Sequence, residues 1–131
     1  MIIMDTCAMI YDALSPELLS KRALKAISEA ERKDRLACSD ISLWEVAMLV
    51  EKGRLDPGTD SLSFIRLAVA ARSIKVLPIN PEIANLAASS QRFRHHDPAD
   101  RIIAATTMHY KGSLVTSDGK IQAVQGLKTI W

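Results

Sequence analysis

Short apolar runs alternating with longer, helically patterned stretches are the feature that most narrows what this chain can become. Residues 1–4, 36–38, 75–79, 113–116 and 128–130 read as strands, the last of them at an edge. Helices are expected at about 16–32, from 39 or 42 to 53, at 61–72, from 80 to about 92, from 97 to 110 and for a short stretch from 118. Local chemistry sets these boundaries. Pro16 and Pro98 suit a first helical turn, Gly53 and Gly112 suit a helix end, and Lys52 complements the dipole of a last turn. Residues 61–72 repeat apolar side chains at helical spacing.

Strands separated by helices imply an α/β fold: a mainly parallel central sheet with helices on both faces, joined by right-handed crossovers. The crevice of such a sheet lies outside the carboxyl ends of its strands. Positions just after each strand are therefore the ones to inspect.

A chain of 131 residues with 48% apolar content is the size of one compact domain, expected to span 1–131. No apolar run approaches the ~20 residues that cross a bilayer, and residues 1–4 are too short for the apolar part of a signal peptide. A cytoplasmic protein with no membrane contact is expected. Cys7 and Cys38 then read as free thiols, and without a CxxC pair no zinc site is expected. The net charge is +2. If four acids gather at one site, the remaining eleven acidic residues face seventeen basic ones, a +6 excess around an acidic pit.

Four carboxylates are candidates for that pit. Asp5 directly follows the first apolar run, where it serves chemistry, makes an Asx-type turn or caps the following segment. Glu45 shares a helix face with Ile41, Met48 and Leu49, so a carboxylate sits on an apolar stripe. Its structural alternative is a capping box with Ser42. Asp97-Pro98-Ala99-Asp100-Arg101 is a strong helix start, with Asp97 as the cap and Asp100 in the first turn. Asp118 follows Leu114-Val115-Thr116, again just after a strand, and Thr116 and Ser117 add hydroxyls nearby.

Four carboxylates gathered together repel one another and raise one another's pKa values. A divalent cation resolves that conflict. Oxygen-only ligands favour Mg²⁺ or Mn²⁺ over zinc, and such ions promote phosphodiester hydrolysis.

These segments taken together resemble the successive motifs of PIN domains: Asp5-Thr6 after a strand, Glu45 in a helix, Asp97 through Thr106, and Leu114 through Asp118. VapC-type toxins are similar over nearly the whole chain, including Glu51 through Leu55 and Thr129-Ile130-Trp131. Cys7 stands where Ser or Asn often follows Asp-Thr in that group.

The resemblance implies one Rossmann-like PIN domain, Mg²⁺-dependent RNA cleavage, a homodimer, and inhibition by a cognate antitoxin. It carries metal binding onto Asp5 and Asp100, and shared metal binding or water positioning onto Glu45 and Asp118. Thr6 and Thr116 become polar supports.

Arg92, Arg94 and Arg101 are candidates to contact phosphates beside Asp97 and Asp100, with an ion pair as the alternative for Arg101. His95 and His96 read as solvated loop residues, and Trp44 as core or subunit interface. A phosphoacceptor receiver domain would need its acceptor Asp after a middle strand, whereas Asp56 and Asp60 fall in a turn. A phosphatase with a nucleophilic Asp would want a second acid at position 7, where Cys7 stands. A housekeeping RNA-processing nuclease is the runner-up among enzymes. A catalytically silent RNA- or partner-binding PIN domain is the non-enzymatic alternative.

Overall fold

In a computed structural model, residues 1–131 are described throughout. β1 (Ile2–Met4) is followed at once by α1 (Thr6–Leu14), because Asp5 adopts an extended conformation and its side chain accepts a hydrogen bond from the Ala8 amide at 2.7 Å. The sequence reading had no helix there. It also placed one helix over 16–32, which is in fact a 3-10 turn at Pro16–Leu18 followed by α2 (Lys21–Arg32). Extended Leu19 breaks the continuity, and Ser20 recaps the chain through the Ala23 amide at 3.0 Å.

β2 (Leu36–Ser39) runs into α3 (Asp40–Glu51), capped by Ser39. α4 (Ser61–Ala71) is capped by Asp60, whose Oδ1 accepts from Ser63 at 2.8 Å. β3 is Lys75–Leu77 and stops short of residue 79, since Pro78 has no amide to give the ladder and the Ile79 amide donates instead to Asp40. α5 (Pro81–Ser89) likewise ends before 92: Ser90 turns extended and a 3-10 turn, Gln91–Phe93, inserts the buried Phe93 into the core. α6 (Pro98–His109), β4 (Ser113–Val115), α7 (Gly119–Gln122) and β5 (Thr129–Ile130) complete the chain.

The strands form one sheet in the order β3-β2-β1-β4-β5, and every pair is parallel. Alternation along the strands sends side chains to two cores. Ile3, Ala37, Leu77 and Leu114 pack with Ile83, Phe93 and Ile103 on one face. Met4, Leu36, Cys38 and Val115 pack with Ala8, Ala23 and Ile27 on the other. Helices therefore cover both faces, as a parallel sheet requires.

The chain steps from β1 outward to β2 and β3, then returns to lay β4 against the free side of β1. That reversal puts the topological switch point between β1 and β4, and sheets of this kind place their functional residues just outside the carboxyl ends of the strands there. An ion network clamps one helical layer: Arg72, at the end of α4, holds Asp12 of α1 through contacts of 3.0 and 2.8 Å and Glu31 of α2 at 2.7 Å. No helix is long and apolar enough to cross a membrane.

Candidate active site

Four elements deliver one carboxylate each toward the switch point. Asp5 comes from the end of β1, Glu45 from the second turn of α3, Asp100 from the first turn of α6, and Asp118 from the start of α7. Local chemistry fixes two of them by capping. Asp5 gives one oxygen to its helix, and Asp118 accepts from the Lys120 and Ile121 amides at 2.8 and 3.3 Å through Oδ1. Asp97 caps α6 through the Asp100 amide at 3.0 Å, which sets where Asp100 stands.

Their electrostatics show mutual proximity. Burial pushes the Asp5 carboxyl above its ordinary pKa; the Thr116 hydroxyl and the Ala8 amide offset part of this, while the charge of Asp118 adds to it. Glu45 is raised by burial, drawn down by the Thr6 hydroxyl, and raised again by Asp97 and Asp5. Asp100 is pushed up to about 7 by burial, by the charge and hydrogen bonding of Asp97, and by Glu45 and Asp118. The Cys7 thiol reports on the whole set: after burial, the charges of Asp5, Glu45, Asp100 and Asp118 all contribute to raising it to about 11.

None of the four acids is paired with a Lys or Arg; the ion pairs of the molecule lie elsewhere. No three acidic, His or Cys side chains close around one point as they stand. A hard divalent cation fits the donor set, which is all oxygen, half-buried or deeper at Asp5, Glu45 and Asp100, and uncompensated.

Polar supports surround the acids. The Thr6 hydroxyl bonds the Glu45 carboxylate and lies 3.1 Å from Ser42 Oγ. Thr116, fully buried, accepts from the Asp118 amide at 3.1 Å, and its carbonyl accepts from Gln122 at 2.9 Å. Ser42 and Gln122 were missed in the sequence. The capping-box alternative drew Ser42 to a helix start, yet α3 begins at Asp40 and leaves Ser42 buried beside Thr6. Only the Ser42-to-Glu45 spacing hinted at their association.

Two of the three arginines are engaged by other parts of the fold. Arg101 donates to the carbonyls of Ala87 and Ala88 at 2.9 Å, capping α5, and forms no ion pair with a neighbouring carboxylate. Arg92 packs near Gly126 and Met108, toward the amino ends of β4 and β5, away from the carboxylates. Trp44 is 57% exposed, so it is no part of the core of this chain.

The PIN domain family profile matches residues 2–127. Ribonuclease VapC22 of Mycobacterium tuberculosis (strain ATCC 25618 / H37Rv) is 30% identical over 132 aligned residues, covering 99% of this chain and 98% of that protein. Among solved structures, VapBC2 from Rickettsia felis bound to a promoter DNA fragment superposes with a TM-score of 0.74 at 16% identity, over 98% of this chain and 97% of that one. A toxin-antitoxin complex from Klebsiella pneumoniae superposes with a TM-score of 0.64 at 21% identity, over 96% and 93%. Matched along almost its entire length by the family profile and by a full-length relative, the chain belongs to the PIN-domain family and is of VapC type.

Proposed function

We propose that this chain is a Mg²⁺-dependent endoribonuclease, with Mn²⁺ an acceptable substitute, acting in the cytoplasm as the toxin of a toxin-antitoxin pair. The observation that carries the reading is the gathering of four unpaired carboxylates, from four separate elements, at the switch point of a parallel sheet. A ribonuclease among the full-length relatives and toxin-antitoxin complexes among the structural neighbours support the substrate and the partner.

Asp5 and Asp100 are assigned to the ion, with Glu45 and Asp118 sharing it or orienting water. An ion held by these carboxylates would supply positive charge to the scissile phosphate and lower the cost of ionising an attacking water. The chain's own groups do the positioning. Asp118 spends Oδ1 on two backbone amides and has Oδ2 free to orient a water. Thr6 fixes the direction of Glu45, and Thr116 sits between Asp5 and Asp118. Asp97 acts through the amide of Asp100 and belongs to positioning, as does Arg101 through α5.

The test is purified protein with a panel of RNAs, with and without Mg²⁺, followed by mapping of the cut ends. Internal cuts that require the ion are expected. Intact RNA under all conditions, or equal cutting in chelator, overturns the reading.

A further inference from the structure

A second concentration of unpaired charge in the molecule is basic and lies at the opposite edge of the sheet. Lys111 and Gly112 lead into β4 and Lys128 leads into β5, so they stand at the amino ends of these parallel strands, opposite the carboxyl end of β4 that leads to Asp118. A cleft of about 450 Å³ opens there, and Arg92, His109, Lys111 and Lys128 line it without a single acidic residue. None of the three permanent cations takes part in an ion pair of the molecule.

Three like charges around one cleft repel one another, and a bound anion relieves the repulsion. The cations come from three segments: the 3-10 turn before α6, the exit of α6, and the approach to β5. Convergence from separate directions suits a phosphate with three peripheral oxygens better than a planar carboxylate with two. Arg92 offers a fork that can take two of those oxygens, and each Lys offers a point charge.

Gly126 turns the chain beside the cleft with φ +82°, a conformation that favours glycine, and the position of its missing Cβ lies 3.4 Å from Arg92 Nη1 and 3.5 Å from the Met108 methyl carbon, so this turn packs directly against the arginine. Leu86, Met108 and Leu127 supply an apolar wall beside the cations. His109 is oriented by a 3.3 Å contact to Asn80 and an edge-on contact with Tyr110. A charged rim beside an apolar wall matches a phosphate ester carrying a flat, weakly polar group.

We propose that this cleft binds the phosphate of a nucleotide, with Arg92, Lys111 and Lys128 on the phosphate and Leu86, Met108 and Leu127 against the base. The nucleotide is either free or one unit of an RNA strand, and the binding is independent of the acidic site.

The experiment is nuclear magnetic resonance titration of the full chain, in chelator, following the backbone amides of Lys111, Gly112, Gly126 and Lys128. The probes are adenosine 5′-monophosphate, inorganic phosphate, a 2′-O-methyl tetranucleotide that resists cleavage, and a poly-glutamate peptide. Saturable shifts at about 1 mM nucleotide or below are expected. The double variant Arg92→Ala/Lys128→Ala should weaken binding by about tenfold. Lys111→Ala gives an independent reading should the double variant fold poorly.

Tighter binding of the tetranucleotide than of the mononucleotide assigns the cleft to a strand, and equal or weaker binding assigns it to a free nucleotide. No saturable shift with either, no effect of the variants, or stronger shifts with poly-glutamate than with both nucleotide probes overturns the proposal. Because no step requires Mg²⁺ or cleavage, this result is separable from the fate of the ribonuclease reading.

Discussion

Thr6, the first residue of α1, donates a hydrogen bond to the carboxylate of Glu45 in α3, 39 positions further along the chain. This contact holds one putting-together of two elements that local sequence keeps far apart, and it lowers the Glu45 pKa against the rise caused by burial. Thr6→Val keeps the shape and removes the donor. The Glu45 pKa should then rise, and RNA cleavage should fall by about 10–100-fold, as for other losses of a ligand-orienting partner. The Mg²⁺ concentration at half-maximal rate should rise as well. Thr6→Ser should recover most of both; an unchanged Mg²⁺ titration in Thr6→Val would contradict the positioning role.

The acidic site also predicts how stability depends on pH. Burial raises Asp5, Glu45 and Asp100, the last to about 7. A carboxyl whose pKa is higher folded than unfolded favours the fold below its unfolded value and loses that contribution as pH rises through its folded value. The metal-free protein should therefore lose stability from about pH 4 to about pH 7. Thermal midpoints in chelator should be lower at about pH 8 than at about pH 5, and Mg²⁺ should raise the midpoint more at the higher pH. A midpoint in chelator that climbs over this interval would count against the raised carboxyls.

Arg72 ties α4 to α1 and α2 through Asp12 and Glu31, and the Asp12 side chain is only 8% exposed. Arg72→Met leaves that carboxylate buried and unpaired. Removing one partner of a buried pair should cost about 3 kcal/mol in denaturant unfolding. The cleavage rate per folded molecule should stay unchanged, because the network lies outside the acidic site. A loss below the resolution of the measurement would mean that Asp12 finds water readily.

Trp44, Leu62 and Leu67 are 57%, 57% and 66% exposed on the neighbouring helices α3 and α4. Large apolar side chains left open in this way suit a subunit interface. A dimeric mass by light scattering at micromolar concentration is expected, with Trp44→Glu shifting it toward monomer. A wild-type monomer under those conditions would rule the dimer out.

Local chemistry made much of this fold legible. The caps Asn80 and Asp97 act within three residues, so the starts of α5 and α6 could be read directly, whereas Asp60 reads as a turn residue although it caps α4, and Ser39 competes with Ser42 for the start of α3 until the fold selects it. Asp5 ends a strand and caps a helix at once, and the capping alternative at that one residue did not by itself mark out α1. The three aspartates were visible one at a time from their positions after strands and at a helix start, and Glu45 from its place on an apolar helix face. Contacts such as Thr6 to Glu45 were not, since nothing local fixes a partner that far along the chain. Arg92 failed for the same reason: near Asp100 in sequence, it is carried to the far edge of the sheet by the turn between α5 and α6.

The most direct test of the central claim is RNA cleavage by Asp5→Asn and Asp100→Asn, each checked for native circular dichroism. Each swap is nearly isosteric and weakens a ligand for a hard cation. The account predicts a native fold with cleavage abolished in both variants at saturating Mg²⁺. Full cleavage by either folded variant would remove that residue from the site, and full cleavage by both would contradict a carboxylate-held ion as the basis of activity.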